Sequence, residues 1–138
     1  MQKETKNRLE IFDKENNLLA LKVILDLQQN DKEFHTSNEQ SFQLGTFNLQ
    51  KGASLERHVH LENERTIFNT SEVILLTKGK VKVEIFDKHK IFVIEQIINA
   101  GELILFFQGG HSFEILEDAK FIEIKQGPYI EGQDKKRF

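Results

Sequence analysis

Two imidazoles separated by one residue, His58-Val59-His60, are the first feature of this chain with a chemistry attached. On a β-strand, side chains at i and i+2 share a face, about 6.5–7 Å apart along the chain. A curved or twisted strand lets both rings converge on one ion, whereas a helix turns them apart. Glu72 opens the strand-like run Glu72-Val73-Ile74-Leu75-Leu76-Thr77-Lys78-Gly79. Period two places it on the face of Ile74 and Leu76, where a carboxylate is costly unless it meets a cation or hydrogen-bond donors. A third imidazole, His111, follows Gly109-Gly110 and shares a face with Phe113 and Ile115. Three His and one Glu, all assigned to inner faces, make one candidate site. With no Cys in 138 residues, thiolate ligands, disulfides and Cys nucleophiles are excluded. Three neutral imidazoles and a carboxylate suit a divalent first-row ion: Mn, Fe, Co, Ni, Cu or Zn. On an octahedral ion they leave two positions open for water or substrate oxygens, which the metal would polarise as a Lewis acid.

Each of these residues also has a plainer reading. His58 and His60 would be exposed loop residues, His111 a satisfied core histidine, and Glu72 a rim carboxylate paired with Arg65 or Lys78. His35 and His89 lie among polar residues and read as solvated turn positions. Arg57 and Arg65 are candidate anion clamps, and Gln108 a candidate substrate contact beside Gly109-Gly110. Glu102 and Glu114 are candidate general bases, but strand parity points Glu114 away from His111.

The elements that must position these groups read as short strands. Leu9 and Ile11 begin one, stopped by Asp13-Lys14-Glu15-Asn16-Asn17. Leu18 to Leu27 is a longer apolar run of ambiguous period, read as a strand from Val23, Ile24 and its polar exit. Gln28 to Glu39 reads as a loop and Gln43 to Leu49 as a strand. Val73–Thr77 and Val81–Phe86, separated by Lys78-Gly79, read as a hairpin. Ile91–Ile98, Leu103–Phe107, Ser112–Leu116 and Phe121–Lys125 complete about nine strands. Helix-length amphipathic patterns are missing between them, so a parallel α/β sheet is not expected. The expected fold is all-β, a sandwich or barrel filled by Val81, Val83, Ile85, Phe113, Ile115 and Ile122.

The length fits a single domain over residues 1–138. Its barrel core runs from about residue 40 to 126, with N-terminal strands over 8–27 and a charged tail over 127–138 that docks or frays at the surface. A formal net charge of −3 argues against nucleic acid as a partner. The longest apolar run, Leu103 to Phe107, is too short to span a bilayer. Met1 to Glu10 has no apolar stretch of the secretory kind, so a cytoplasmic location is expected. An edge-strand argument applied to Leu18–Leu27 suggests a homodimer.

Gly52, five residues, His58-Val59-His60 and then Glu72 seven positions before Gly79 resemble the first motif of the cupin superfamily. Gly101-Glu102, an apolar strand, Gly109-Gly110 and His111 resemble its second motif. The ending Gln126-Gly127-Pro128-Tyr129, with Asp134-Lys135, is similar to a small group of bacterial single-domain cupins, some encoded near surface-polysaccharide genes. The loop from His60 to Glu72 holds eleven residues, longer than in the common motif; Phe107 stands where many cupins have Pro, and His111 sits one position early. The resemblance implies a double-stranded β-helix (jelly-roll) barrel with an N-terminal β extension. It also implies metal-ligand roles for His58, His60, Glu72 and His111. The expected function is a metal-binding cupin acting on or binding a small polar metabolite, such as a sugar or sugar nucleotide, in an isomerase or epimerase type of reaction. Alternatives are an iron-dependent dioxygenase and a non-catalytic metal or ligand-binding module.

Overall fold

The computed structural model describes residues 1–25 and 32–138. It is all-β, with no helix among the described residues. The chain divides into two compact units, one of Met1–Leu25 with Asn69–Phe138 and one of Asp26–Phe68.

The larger unit is a seven-stranded antiparallel sheet built from β1 (Gln2–Thr5), β2 (Arg8–Phe12), β3 (Leu18–Ile24), β6 (Glu72–Phe86), β7 (Phe92–Asn99), β8 (Glu102–Phe106) and β9 (Gly110–Lys125). The order is β1-β2-β3-β8-β6-β7, and β9 also pairs with β6. Its core gathers Ile11, Leu19, Ile74, Leu76, Val83, Ile85 and Ile104, all almost fully buried. β3 lies between β2 and β8. Leu19, Ala20, Leu21 and Val23 are all buried, so both faces of the strand are covered. That is why its apolar run shows no clean alternation. It also corrects the edge-strand argument for a dimer, because both edges of Leu18–Ile24 are already used. Residues 26 and 27 of the expected strand, and 28–31 of the expected loop, lie outside the described residues.

Two turns share one sequence device. Phe12-Asp13-Lys14 and Phe86-Asp87-Lys88 each end a strand with an Asp whose side chain caps the turn. Asp13 Oδ1 accepts from the N–H groups of Glu15 (2.9 Å) and Asn17 (2.8 Å). Asp87 Oδ1 accepts from those of His89 (2.8 Å) and Ile91 (2.9 Å). In both, the residue three positions on, Asn16 or Lys90, takes a positive φ. Asx capping of this kind mimics a backbone turn. The two turns are joined by an ion pair between Lys88 and Glu15 (2.6 Å). His89 sits in the second turn, exposed, as expected.

The expected hairpin at Lys78-Gly79 is not formed. β6 instead runs unbroken from Glu72 to Phe86. Gly79 has φ +85°, and a β-carbon there would lie 2.3 Å from the Asp118 carbonyl oxygen. A glycine at positive φ serves a bulge as readily as a turn, and the pairing of β6 with β9 shifts register at Leu76/Lys78, Lys78/Lys80 and Lys80/Val81. Likewise Ser112–Leu116 and Phe121–Lys125 are parts of one strand, β9. Of the six expected barrel-filling residues, Val81, Val83 and Ile85 are buried and Phe113 packs on the core. Ile115 and Ile122 are about half exposed, a correction. Ile122 pairs with Leu75, so it faces away from core residues Ile74 and Leu76.

The smaller unit contains β4 (Lys32–Phe34) and β5 (Gly45–Phe47), an antiparallel pair. β5 is the centre of the expected strand over Gln43–Leu49, while β4 falls in the expected loop. Among the described residues, no helix is long and apolar enough to cross a membrane.

Gly79→Ala is expected to lower unfolding stability by about 1–3 kcal/mol from backbone conformation alone, before the overlap with Asp118 is counted. Urea denaturation checks this, and an unchanged midpoint would refute the bend. A second expectation concerns acid. The hydrogen bonds that Asp13 accepts, the Asn17 amide foremost, hold its carboxyl below the ordinary 3.8. A depressed carboxyl contributes stability above its unfolded value, and that contribution is lost as pH falls through the folded value. Asp13→Asn should therefore be the less stable protein near neutrality and show a shallower decline toward low pH. Parallel decline of both proteins would count against the cap.

Candidate metal centre

Glu72 and His111 meet in the larger unit. Glu72 is the first residue of β6, in register with Phe106 of β8 and Lys125 of β9. His111 pairs with Ile85, at the far end of the same strand. The two are nevertheless brought together: His111 Nε2 lies 3.6 Å from Glu72 Oε1. Their side chains are 24% and 16% exposed, so the pair is sheltered yet reachable from solvent. The His111 ring stacks on Phe106 at 4.1 Å and 16°, and meets Phe113 edge-on at 5.2 Å. Phe113 in turn stacks with Phe121 at 6.3 Å. The contact with His111 holds the Glu72 carboxyl below its ordinary 4.5; burial opposes this, and Glu123 and Lys125 add smaller lowering effects.

Lys125, Asp134 and Tyr129 are neighbours that strand parity did not single out. Lys125 Nζ lies 3.7 Å from Glu123 and 3.9 Å from Asp134, and stands 5.2 Å from the centre of the Tyr129 ring. The Gln126 N–H donates to the Ser71 carbonyl (2.8 Å), which ties the start of the ending to the residue before Glu72. The pairing of β6 with β9 places Lys125 opposite Glu72, a register that no local sequence pattern encodes.

His58 and His60 belong to the smaller unit. Residues 53–68 form no strand, so the expected strand setting of His58-Val59-His60 is not seen. The two rings are still neighbours, 5.3 Å apart at an angle of 77°. His58 Nδ1 lies 2.9 Å from the Glu56 carbonyl oxygen. A carbonyl only accepts, so Nδ1 donates, and in the neutral ring the lone pair is on Nε2. The four expected ligands thus stand as two pairs, Glu72 with His111 and His58 with His60. Among the described residues, no group of three or more His, Asp or Glu side chains is gathered as a metal would need.

The other candidates are placed as follows. Arg57 is exposed. Gln108 Nε2 donates to the Leu18 carbonyl (3.2 Å), which stitches the end of β8 to the start of β3. Glu102 pairs with Lys22 (3.0 Å) and accepts from the Asn99 N–H. Glu114 pairs with Lys82, whose ammonium is thereby held above its ordinary value. Both carboxylates are thus spent on ion pairs. Arg65 lines an open cleft in the smaller unit. His35, expected in a solvated turn, is instead buried at 6% exposure, with Nε2 2.9 Å from Thr46 Oγ1. The polar sequence around it hid the β4–β5 pairing that encloses it.

No family model, curated protein or solved structure matches the chain.

In metal-free protein, Glu72 should titrate below 4.5, and His111→Ala should raise it toward that ordinary value. Carboxyl carbon shifts followed by NMR across the acid range check this. An unmoved Glu72 in the variant would show that the His111 contact does not form in solution.

Proposed function

We propose that the chain is a cupin-type barrel that binds one divalent transition metal through His58, His60, Glu72 and His111, and that it takes a small polar metabolite such as a sugar or sugar nucleotide. The observation that carries this reading is the Glu72–His111 contact, made between the first residue of β6 and a β9 residue paired near the far end of β6. The His58–His60 pair supports it, because the Glu56 carbonyl fixes the tautomer that leaves Nε2 able to ligate. The donor set is three imidazoles and one carboxylate, which fits a borderline divalent ion such as Mn, Fe, Co, Ni or Zn.

Such an ion would supply Lewis-acid polarisation of a carbonyl or hydroxyl oxygen. The chain's own contribution is orientation. Phe106 fixes the plane of the His111 ring by stacking, and Phe113 and Phe121 carry an aromatic wall onward along β9. Of the possible reactions, an isomerase or epimerase also needs a base. Glu102 and Glu114 are engaged by Lys22 and Lys82, and this favours a second reading, a metal-dependent binding module without turnover.

Elemental analysis of the purified protein tests the centre. One equivalent of metal is expected, with His58→Ala and His60→Ala each losing it and Glu72→Gln retaining less. Undiminished metal in both histidine variants would refute the ligand set. Isomerisation of an added sugar by the metal-loaded protein would decide for the enzyme over the binding module.

A further inference from the structure

The smaller unit contains an open cavity of about 600 Å³, within the roughly 300–1,000 Å³ span of small-ligand sites. One wall is the turn after β4 and the other is the stretch at Arg65. The turn is braced from within. Thr36, itself buried, donates through Oγ1 to Gln43 Oε1 (3.0 Å) and accepts from the Leu44 N–H (3.1 Å). Gln43 Nε2 donates to the carbonyls of Ser37 (2.9 Å) and Gln40 (2.8 Å). The Gln43 amide is therefore consumed in shaping the wall. Among the described residues, the side chains of Asn38, Glu39, Gln40 and Ser41 have no such commitment. These four residues line one space and bring two amides, a carboxylate and a hydroxyl to it.

That set pairs with vicinal hydroxyls, each of which donates and accepts. Across from it, Arg65 makes one local hydrogen bond, Nη1 to the Asn63 carbonyl at 3.4 Å. The rest of its planar fork suits a phosphate. Glu39 disfavours a bare anion on its own side, so charge and hydroxyls are sorted to opposite walls. The ligand that matches carries a polyol at one end and a phosphate at the other.

We propose that this cleft binds a hexose phosphate, with Arg65 on the phosphate and Asn38, Glu39, Gln40 and Ser41 on the sugar hydroxyls. The sugar rests on the reading under Proposed function, and the phosphate does not. Calorimetric titration of the purified full chain with glucose, mannose and galactose phosphates, the free hexoses and inorganic phosphate tests it. Saturable binding of at least one hexose phosphate is expected. Arg65→Ala should weaken that ligand by about tenfold or more, the equivalent of about 1.4 kcal/mol. Arg65→Lys should fall between, because an ammonium keeps the charge and loses the fork. No saturable hexose phosphate, an unchanged Arg65→Ala, or inorganic phosphate binding as tightly as the sugar would each overturn the proposal. Arg65→Ala should keep its metal, and His58→Ala should keep the hexose phosphate, so failure of the cleft and failure of the metal centre are told apart.

Discussion

A β-carbon at position 79 would overlap the Asp118 carbonyl oxygen at 2.3 Å, and the larger unit is organised around that closeness. β6 has three partners, although a strand has only two edges. Glu72–Leu75 pair with β8, Lys80–Phe86 pair with β7, and β9 runs along the other edge throughout. One partner must therefore be exchanged for another along the strand, and the exchange falls at 76–80, where Gly79 sits at positive φ and the β9 register shifts. Bulges of this kind bend and twist a strand. The bend is what makes opposite ends of β6 neighbours, so the meeting of Glu72 and His111 follows from backbone geometry before any attraction between them.

Register then decides what surrounds the carboxylate. The residues opposite Glu72 are Phe106 on one side and Lys125 on the other. Phe106 stacks on His111 and so fixes the imidazole that Glu72 faces. Lys125, steadied by Asp134, Glu123 and the Tyr129 ring, supplies positive charge nearby. A sheltered carboxylate would otherwise titrate upward; here its partners outweigh burial and the direction is down. The C-terminal segment thereby shares in the site. Its last residue is also docked, with Phe138 edge-on to Phe86 at 5.3 Å and its ring against Gly110, beside His111.

Much of this was legible wherever one rule acted alone. Asp13 and Asp87 announced their turns because side-chain capping is local. Val81, Val83 and Ile85 declared a buried face because period two survives when only one face is covered. The reading went astray where a residue type serves two structures. Gly79 meant a turn or a bulge, and only the approach of Asp118, distant in sequence, selects between them. Ile115 and Ile122 are as apolar as Val83 but lie on β9, which among the described residues pairs with β6 alone. His35 looked solvated because its neighbours are polar, yet the pairing of Phe34 with Gly45 carries it inside. Parity put all four expected ligands on inner faces; Glu72 and His111 are sheltered, while His58 and His60 are exposed and lie on no strand. Lys125 and Asp134 required the register, which no local pattern encodes.

The Glu72–His111 contact also bears on how a cation would enter. When the His111 ring carries both protons, carboxylate and imidazolium satisfy each other in the sheltered site, which lowers the desolvation cost of both. A metal ligated by the same nitrogen needs it unprotonated, so metal and proton compete there. The same holds for any imidazole ligand; at His58 the Glu56 carbonyl accepts from Nδ1, so Nε2 is the atom that a proton or a metal would take. The two donor pairs are still chemically unequal. His58 and His60 contact each other through their rings, whereas a ligand taking Nε2 of His111 would have to displace the Glu72 contact.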